Sequence, residues 1–458
     1  MNVIWIVSDT MRRDAVGAYG NDKMHTPAID SLAAQSVRFD RHYAASFPTM
    51  PARADFMTGR WTISFMNWEP LPRTELALAE LLAGSGINTA AIVDTPFFVR
   101  DGMGYDRGFL TFNEIPGQNV WSIGDRRLRR GAPDVRPKYR LDSDCCARQT
   151  FLKAMQWLEL NYKEDFFLYI DTWDPHEAWN APVYYTELYW PGYDGELVPP
   201  NYGYWQDIPG FTEEKLRKSK ATYFGEVTMV DTWAGNFMRQ VENMGLLKNT
   251  AIIFTTDHGY YFGEHGGLFG KMVLSRPSEP GQGEDTSWGR SPLYEEVTAL
   301  PLLIYMPGIS PGTYGGLTSA VDLMPTVLDI MGQEIPSRVE GRSLMPMIKD
   351  TTLAGRDYVF SSASFTNVGD VDLSVDNIGR RVGKASLATI TTDEWSLIYD
   401  ADPGGSELYN LKSDPKQEKN VISEYPDKAR ELHQIFVKHM QDTNVDKRFV
   451  EPRLELRL

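Results

Sequence analysis

The sequence predicts an α/β fold in which a mixed sheet is sandwiched by helices, with a smaller α+β subdomain at the C-terminal end. Three observations carry this. Continuous apolar runs such as those at 3–8, FFLYID at 166–171 and TAIIFTT at 250–256 have the composition of strands buried on both faces of a largely parallel sheet. Amphipathic stretches at helical spacing lie between them, which gives a βαβ rhythm. From about residue 355 the pattern changes to short alternating strands, including WSLIYD at 395–400 and SELYNL at 406–411, closed by a helix across 426–441. The predicted division is a catalytic α/β domain over 1–350 and an antiparallel sheet with one helix over 351–458.

The 458 residues exceed what one core usually organises. With 46 basic and 62 acidic residues the net charge is −16, which argues against a general binder of nucleic acid or of anionic membranes. No apolar run approaches a membrane span, and the first strand begins at once, leaving no room for a signal peptide. Cytoplasmic placement is therefore the expectation. Cys145 and Cys146 are adjacent in a predicted helix, where a strain-free disulfide between them is implausible.

Taken in order, the first strand ends in Asp9-Thr10, and ligands of open α/β sheets gather at such carboxyl ends. Asp9 is thus a candidate metal ligand or acid, with capping of the next turn as the structural alternative. A Gly-rich turn at 11–21 leads to a helix over 27–36. Residues 74–85 read as an amphipathic helix closed by Gly86, and 88–93 as the next strand. Residues 94–141 read as loop, and 142–162 as a long helix. The strand at 166–171 again ends in an acid and is followed by TWDPHEAWNAP, which places His176 in a polar, aromatic loop. Residues 183–210 are an irregular excursion rich in Tyr, Trp, Pro and Gly.

The longest helix, over 212–247, leads into the strand at 250–256 and then Asp257-His258-Gly259. An acid and a histidine side by side after a buried strand suit an oxygen/nitrogen metal site. YYFGEHGGLFGK then carries His265 and Lys271 in a glycine-rich loop that can fold back over the same strand ends. Residues 272–293 are a polar insertion, 299–305 a further strand, and 321–332 a helix ending at glycine.

The organising stretch is SFPTMPARADFMTGR at 46–60. Thr49 stands where an N-cap or first-turn residue of a helix belongs, a position whose free N–H groups favour an anion, and Arg53 lies one turn along.

Together these residues resemble the sulfatases of the alkaline phosphatase superfamily. TMPARADFMTGR is similar to the sulfatase signature, in which Cys or Ser, any residue, Pro, Ser or Ala, and Arg lead to a later Thr-Gly-Arg. VSDTMRRDAVGAYGN, TTDHGYYFGEHGGLFGK, YEEVTALPLLIYMPG, VDLMPTVLDIMG, EGRSLMP and SELYNLKSDPKQEKN match other blocks in the same order. The wording around Pro-Ala-Arg-Ala also resembles the phosphonate monoester hydrolase and phosphodiesterase branch. Two departures bear on chemistry. Thr49 occupies the place of the Cys or Ser that becomes formylglycine, and Asp9-Thr10 replaces two adjacent acids.

The resemblance implies one divalent metal ion, Mn, Zn, Ca or Mg, held by Asp9, Asp257, His258 and the Thr49 hydroxyl, with Thr10 offering a neutral oxygen at most. It further implies that Thr49 is the nucleophile, that Arg53 holds the nucleophile or a substrate oxygen, that Lys271 binds the anion, and that His176 sits near the leaving group as an acid. His265 lies in the right loop without a direct role. The implied partner is a small anionic ester; neither nucleic acid nor membrane is implied, and a homo-oligomer is compatible with the phosphonate hydrolase branch. Segments 94–125, 179–206 and 272–293 are expected to shape the leaving-group pocket.

A formylglycine hydrate expels sulfate by collapsing to the aldehyde, and threonine has no such exit. A threonine phosphate can be cleared by water attacking phosphorus. The residues therefore lead to a phosphate ester or phosphonate monoester as the expected substrate, with a sulfuric ester as the alternative. A catalytically silent anion-binding protein is a second alternative, disfavoured by the charged partners that remain.

Overall fold

The structure is a computed structural model that describes the chain apart from residues 67–68, 96–98, 100–101, 117–140, 199, 201, 274–290 and 364–386. Parts of the expected loop at 94–141 and of the insertion at 272–293 lie outside the described residues.

The central sheet has nine strands among the described residues: β1 (Asn2–Ser8), β2 (Val37–Tyr43), β3 (Asn88–Val93), β4 (Thr111–Glu114), β5 (Phe166–Thr172), β6 (Thr250–Thr255), β7 (Ala299–Tyr305), β8 (Gly312–Tyr314) and β9 (Thr318–Ser319). Their spatial order is β8-β2-β7-β6-β1-β5-β3-β4, with β9 also on β2. β6, β1, β5, β3 and β4 run parallel, while β7 is antiparallel to both β6 and β2, so the sheet is mixed.

β1 is central and buried along its whole length. Its side chains alternate between two cores. Val3, Trp5 and Val7 face the cluster holding Phe56, Leu78 and Leu323, whereas Ile4 and Ile6 face the cluster holding Phe151, Tyr223 and Val227. Helices therefore cover both faces: Thr49–Thr58, Leu78–Gly84 and Leu323–Ile330 on one, Cys146–Asn161 and Glu213–Asn243 on the other. Trp5 binds the first layer to the sheet, its ring 5.5 Å from Phe56 and 5.6 Å from Tyr169.

Several helices are shorter than their patterns predict. The one expected over 74–85 starts at Leu78, because the Glu80 carboxylate accepts the Ala77 N–H and fixes the helix start there. The one expected over 142–162 starts at Cys146, with Cys145 as its N-cap; both cysteines are free. The 31-residue helix over Glu213–Asn243 starts where Thr212 Oγ1 accepts the Lys215 N–H. Among the described residues no helix is long and apolar enough to cross a membrane.

The C-terminal sheet comprises Tyr358–Ala363, Ala388–Thr392, Trp395–Tyr399 and Glu407–Asn410, and the Pro426–Asp442 helix packs on it through Leu432 and Phe436. Its edge is completed by Ser46–Phe47, paired parallel to Tyr358–Ala363. The C-terminal subdomain is thus bonded directly to the two residues that lead into the Thr49 helix. A third, three-stranded sheet joins Gly203–Tyr204, Tyr261–Phe262 and Leu268–Gly270, and places Lys271 at its exit.

Candidate active site

The acids expected at strand ends converge because their strands are parallel neighbours. Asp9 follows β1, Asp171 is the last residue but one of β5, and Asp257 and His258 follow β6, so all four stand at the carboxyl edge of three adjacent strands. Asp9, Asp257 and His258 offer ligand atoms within 4.8 Å of one another, and all three are buried.

Their fit to a cation rests on their bonding. His258 Nδ1 lies 3.0 Å from the Gly259 carbonyl, which can only accept, so the ring proton is on Nδ1. Its Nε2 lone pair is buried without a hydrogen-bond partner among the described residues, 3.6 Å from Asp257 Oδ2. Burial pushes this histidine down to about 4, which keeps it neutral and able to ligate. Burial and the neighbouring Asp257 push the Asp9 carboxyl up, while Arg53 and Lys271 oppose the shift. Three buried carboxylates face one guanidinium, and a divalent cation balances that count. The donor set fits.

Arg53 is fully buried and bonds both the acids and the turn that carries Thr49. Its Nε and Nη2 donate to Asp171 in bidentate fashion, both at 2.7 Å; Nη2 also reaches Asp9 Oδ2 at 3.0 Å; Nη1 reaches Asp257 Oδ2 at 2.6 Å and the Thr49 carbonyl at 3.1 Å. All five donors are engaged within the protein. Arg53 is therefore a clamp on the carboxylates and on the first turn of the Thr49 helix.

Thr49 is the first residue of that helix, after Pro48 as N-cap. Among the described residues nothing hydrogen-bonds its hydroxyl, and the first N–H groups of the helix have no partner within it. The helix ends at Gly59 in the left-handed conformation, where a Cβ would come within 2.8 Å of Val339 Cγ1. Thr10 is itself left-handed, with φ of 62°. Its hydroxyl donates to Asp9 Oδ1 at 2.6 Å and its N–H to Asp257 Oδ1 at 3.1 Å, so it orients the two acids.

His176 and Lys271 meet across the site, Nε2 to Nζ at 2.5 Å. Lysine can only donate, and His176 Nδ1 faces the Glu177 carbonyl at 2.7 Å, so this histidine is neutral with its proton on Nδ1. Burial and the Lys271 charge hold it well below the usual histidine range. The proton between the two residues belongs to Lys271. Trp173 stacks on the ring at 3.7 Å.

His265 lies apart, donating to or accepting from Glu296 at 2.8 Å and stacked on Tyr294. Sequence reasoning assigned no role to Asp171, although its place at a strand end was a signal. It also passed over Glu177, a buried acid whose Oε1 accepts from the Tyr202 hydroxyl, and Asp94, which follows β3 and is pushed up to about 8 by burial.

Comparison with known proteins places the chain in a family. The family model described as Sulfatase matches residues 1–333, and that of the N-sulphoglucosamine sulphohydrolase C-terminal region matches 283–446. An arylsulfatase of Clostridium perfringens is 24% identical over 96% of this chain and 94% of its own, and an ulvan-active sulfatase of Formosa agariphila is 26% identical over 92% and 77%. Among solved structures, a phosphonate monoester hydrolase of Agrobacterium radiobacter superposes with a TM-score of 0.75 at 22% identity, covering 96% of each chain. A protein solved in complex with its substrate D-glucosamine-2-N,6-O-disulfate gives the same TM-score at 19% identity, covering 99% of each. With the fold matched end to end and the family model spanning nearly three quarters of its length, the chain belongs to the sulfatase family.

Proposed function

We propose that this protein is a metal-dependent hydrolase of sulfuric esters. The family and its sulfatase-named relatives support this reading over the phosphorus ester expected from Thr49 alone. The observation that carries an ester hydrolase is the Arg53 clamp, which ties the turn bearing the unengaged Thr49 hydroxyl to the acids that can hold a cation.

Asp9, Asp257 and His258 would hold the divalent ion, which when bound supplies positive charge to the ester oxygens and lowers the proton affinity of an adjacent hydroxyl. The chain's own groups do the rest. Thr49 presents a hydroxyl beside the acids, Lys271 holds the ester's anionic oxygens, and its ammonium neutralises charge developing on the leaving oxygen. Neutral His176 accepts from Lys271 and fixes its direction. Because threonine cannot form the aldehyde hydrate, turnover of a sulfate requires water at sulfur, with Thr49 directing it.

A second reading, hydrolysis of a phosphate ester or phosphonate monoester, is favoured by one feature of this chain, the Thr49 hydroxyl, whose phosphate ester water can clear at phosphorus. A turnover panel with manganese on aryl sulfate, phosphate monoester, phosphate diester and phosphonate monoester sharing one leaving group separates the readings. The sulfate is expected to be turned over, with a loss of at least about a thousandfold in Thr49→Ala. Turnover of phosphorus esters alone moves the second reading to the front, and silence on all four leaves an anion-binding protein.

A further inference from the structure

Beside the Lys271–His176 pair stands a carboxylate to which the reaction as described gives no part. Glu177 is 4% exposed. Its Oε1 accepts from the Tyr202 hydroxyl, and its Oε2 lies 3.2 Å from His176 Nδ1 and 3.6 Å from Lys271 Nζ. Every group that faces it among these contacts is a donor or a cation. Burial raises the Glu177 carboxyl, but the Lys271 ammonium, which can only donate, lies 3.6 Å from it in an equally buried place and favours the carboxylate. Glu177 is therefore read as an anion set directly behind the ammonium that receives the substrate.

The electrostatic consequence follows from burial. Lys271 and Glu177 are both almost fully buried, so their charges act on a bound anion with little solvent screening. The pair sums to zero, and His176 adds nothing because it is neutral. An ester with one negative charge meets Lys271 at close range and Glu177 farther away. A second negative charge on the same ester adds repulsion from Glu177, with no further cation among the contacts of this pair in the described residues.

We infer that Glu177 is a specificity-determining residue that makes this site select singly charged esters over doubly charged ones. The inference rests on the proposed reading that Lys271 holds the ester's anionic oxygens. It is indifferent to sulfur or phosphorus, since sulfate monoesters, phosphate diesters and phosphonate monoesters all carry one charge. Phosphate monoesters carry two above their second ionisation near pH 6.

The test compares an ethyl 4-nitrophenyl phosphate diester and 4-nitrophenyl sulfate with 4-nitrophenyl phosphate at pH 8, in the manganese-loaded protein and in Glu177→Gln, Glu177→Asp and Tyr202→Phe. The readout is the ratio of kcat/KM for the doubly charged ester to that for each singly charged one. Binding of phenyl sulfate and phenyl phosphate to Thr49→Ala, with and without Glu177→Gln, is measured by calorimetry in parallel. Glu177→Gln is expected to raise the ratio, in turnover and in binding, by about tenfold or more, the effect of removing one buried charge near the anion. Glu177→Asp should keep the wild-type ratio, and Tyr202→Phe, which removes a donor from the carboxylate, should move it part of the way. General damage to the site lowers both rates and leaves the ratio alone. A ratio within about twofold of wild type in Glu177→Gln, or a Glu177→Asp protein that behaves like it, overturns the inference while wild-type turnover leaves the hydrolase reading intact. If Glu177→Gln does not fold, an unchanged ratio in Tyr202→Phe overturns it. Absence of both turnover and binding in the wild type defeats the hydrolase reading itself, and the inference with it.

Discussion

Arg53→Gln removes the one cation among Asp9, Asp171 and Asp257 while leaving the helix that carries it intact. Every charge in this group is fully buried, and the guanidinium touches the three carboxylates at 2.6 to 3.0 Å. At an effective dielectric of about 20 each such contact is worth roughly 5 to 6 kcal/mol of attraction, most of which offsets desolvation of the ions. What remains when one partner is removed is the cost of uncompensated buried charge, about 3 to 5 kcal/mol. The expected result is a loss of that size in urea-induced unfolding at pH 7 without divalent ions. Asp171→Asn should cost less, because Asp9 and Asp257 still hold the guanidinium. The double variant should lose at least about 1 kcal/mol less than the sum of the single ones, since the two residues share bidentate bonds. If Arg53 instead bound substrate, Arg53→Gln would raise KM with stability within about 1 kcal/mol of wild type, and that outcome refutes the clamp.

Two further expectations follow from the same cores. Asp55 is buried in the Thr49 helix, its Oδ1 held by Ser46 and Thr62, its Oδ2 without a partner among the described residues, and burial pushes it up to about 8. Its folded value lies above the unfolded one near 4, so the folded state retains a proton that the unfolded state gives up. Stability should fall by a few kcal/mol as pH rises from about 4 to 8 and level off above, and Asp55→Asn should flatten that slope in urea midpoints taken across the window. His258→Ala should abolish most of the thermal stabilisation given by manganese or calcium, since it removes the unpaired Nε2, and should lower apparent metal affinity by about tenfold or more. An unchanged metal-induced shift in the melting temperature would remove His258 from the ligand set.

The architecture was legible because its signals are local. A strand buried on both faces must be apolar throughout, so β1, β5 and β6 show themselves as runs, and the acid that follows each run marks the carboxyl edge where parallel strands deliver side chains to one place. Asp9, Asp257 and His258 could therefore be proposed together before any distance was known, whereas the roles of Thr49 and Lys271 came from the resemblance to the sulfatases.

The sequence by itself determined the α/β class and the carboxyl-edge acids, and it put Thr49 at the start of its helix. Only the tertiary structure decided what those side chains do to each other. Arg53 meets Asp171 across 118 positions of chain and Asp257 across 204, and Lys271 meets His176 across 95. Pairings at such separation leave no periodicity or spacing in the sequence, because they are set by strand order and by the direction each side chain takes on leaving its element. That is why the contacts of Arg53 with the three acids and of Lys271 with His176 became visible only in the fold.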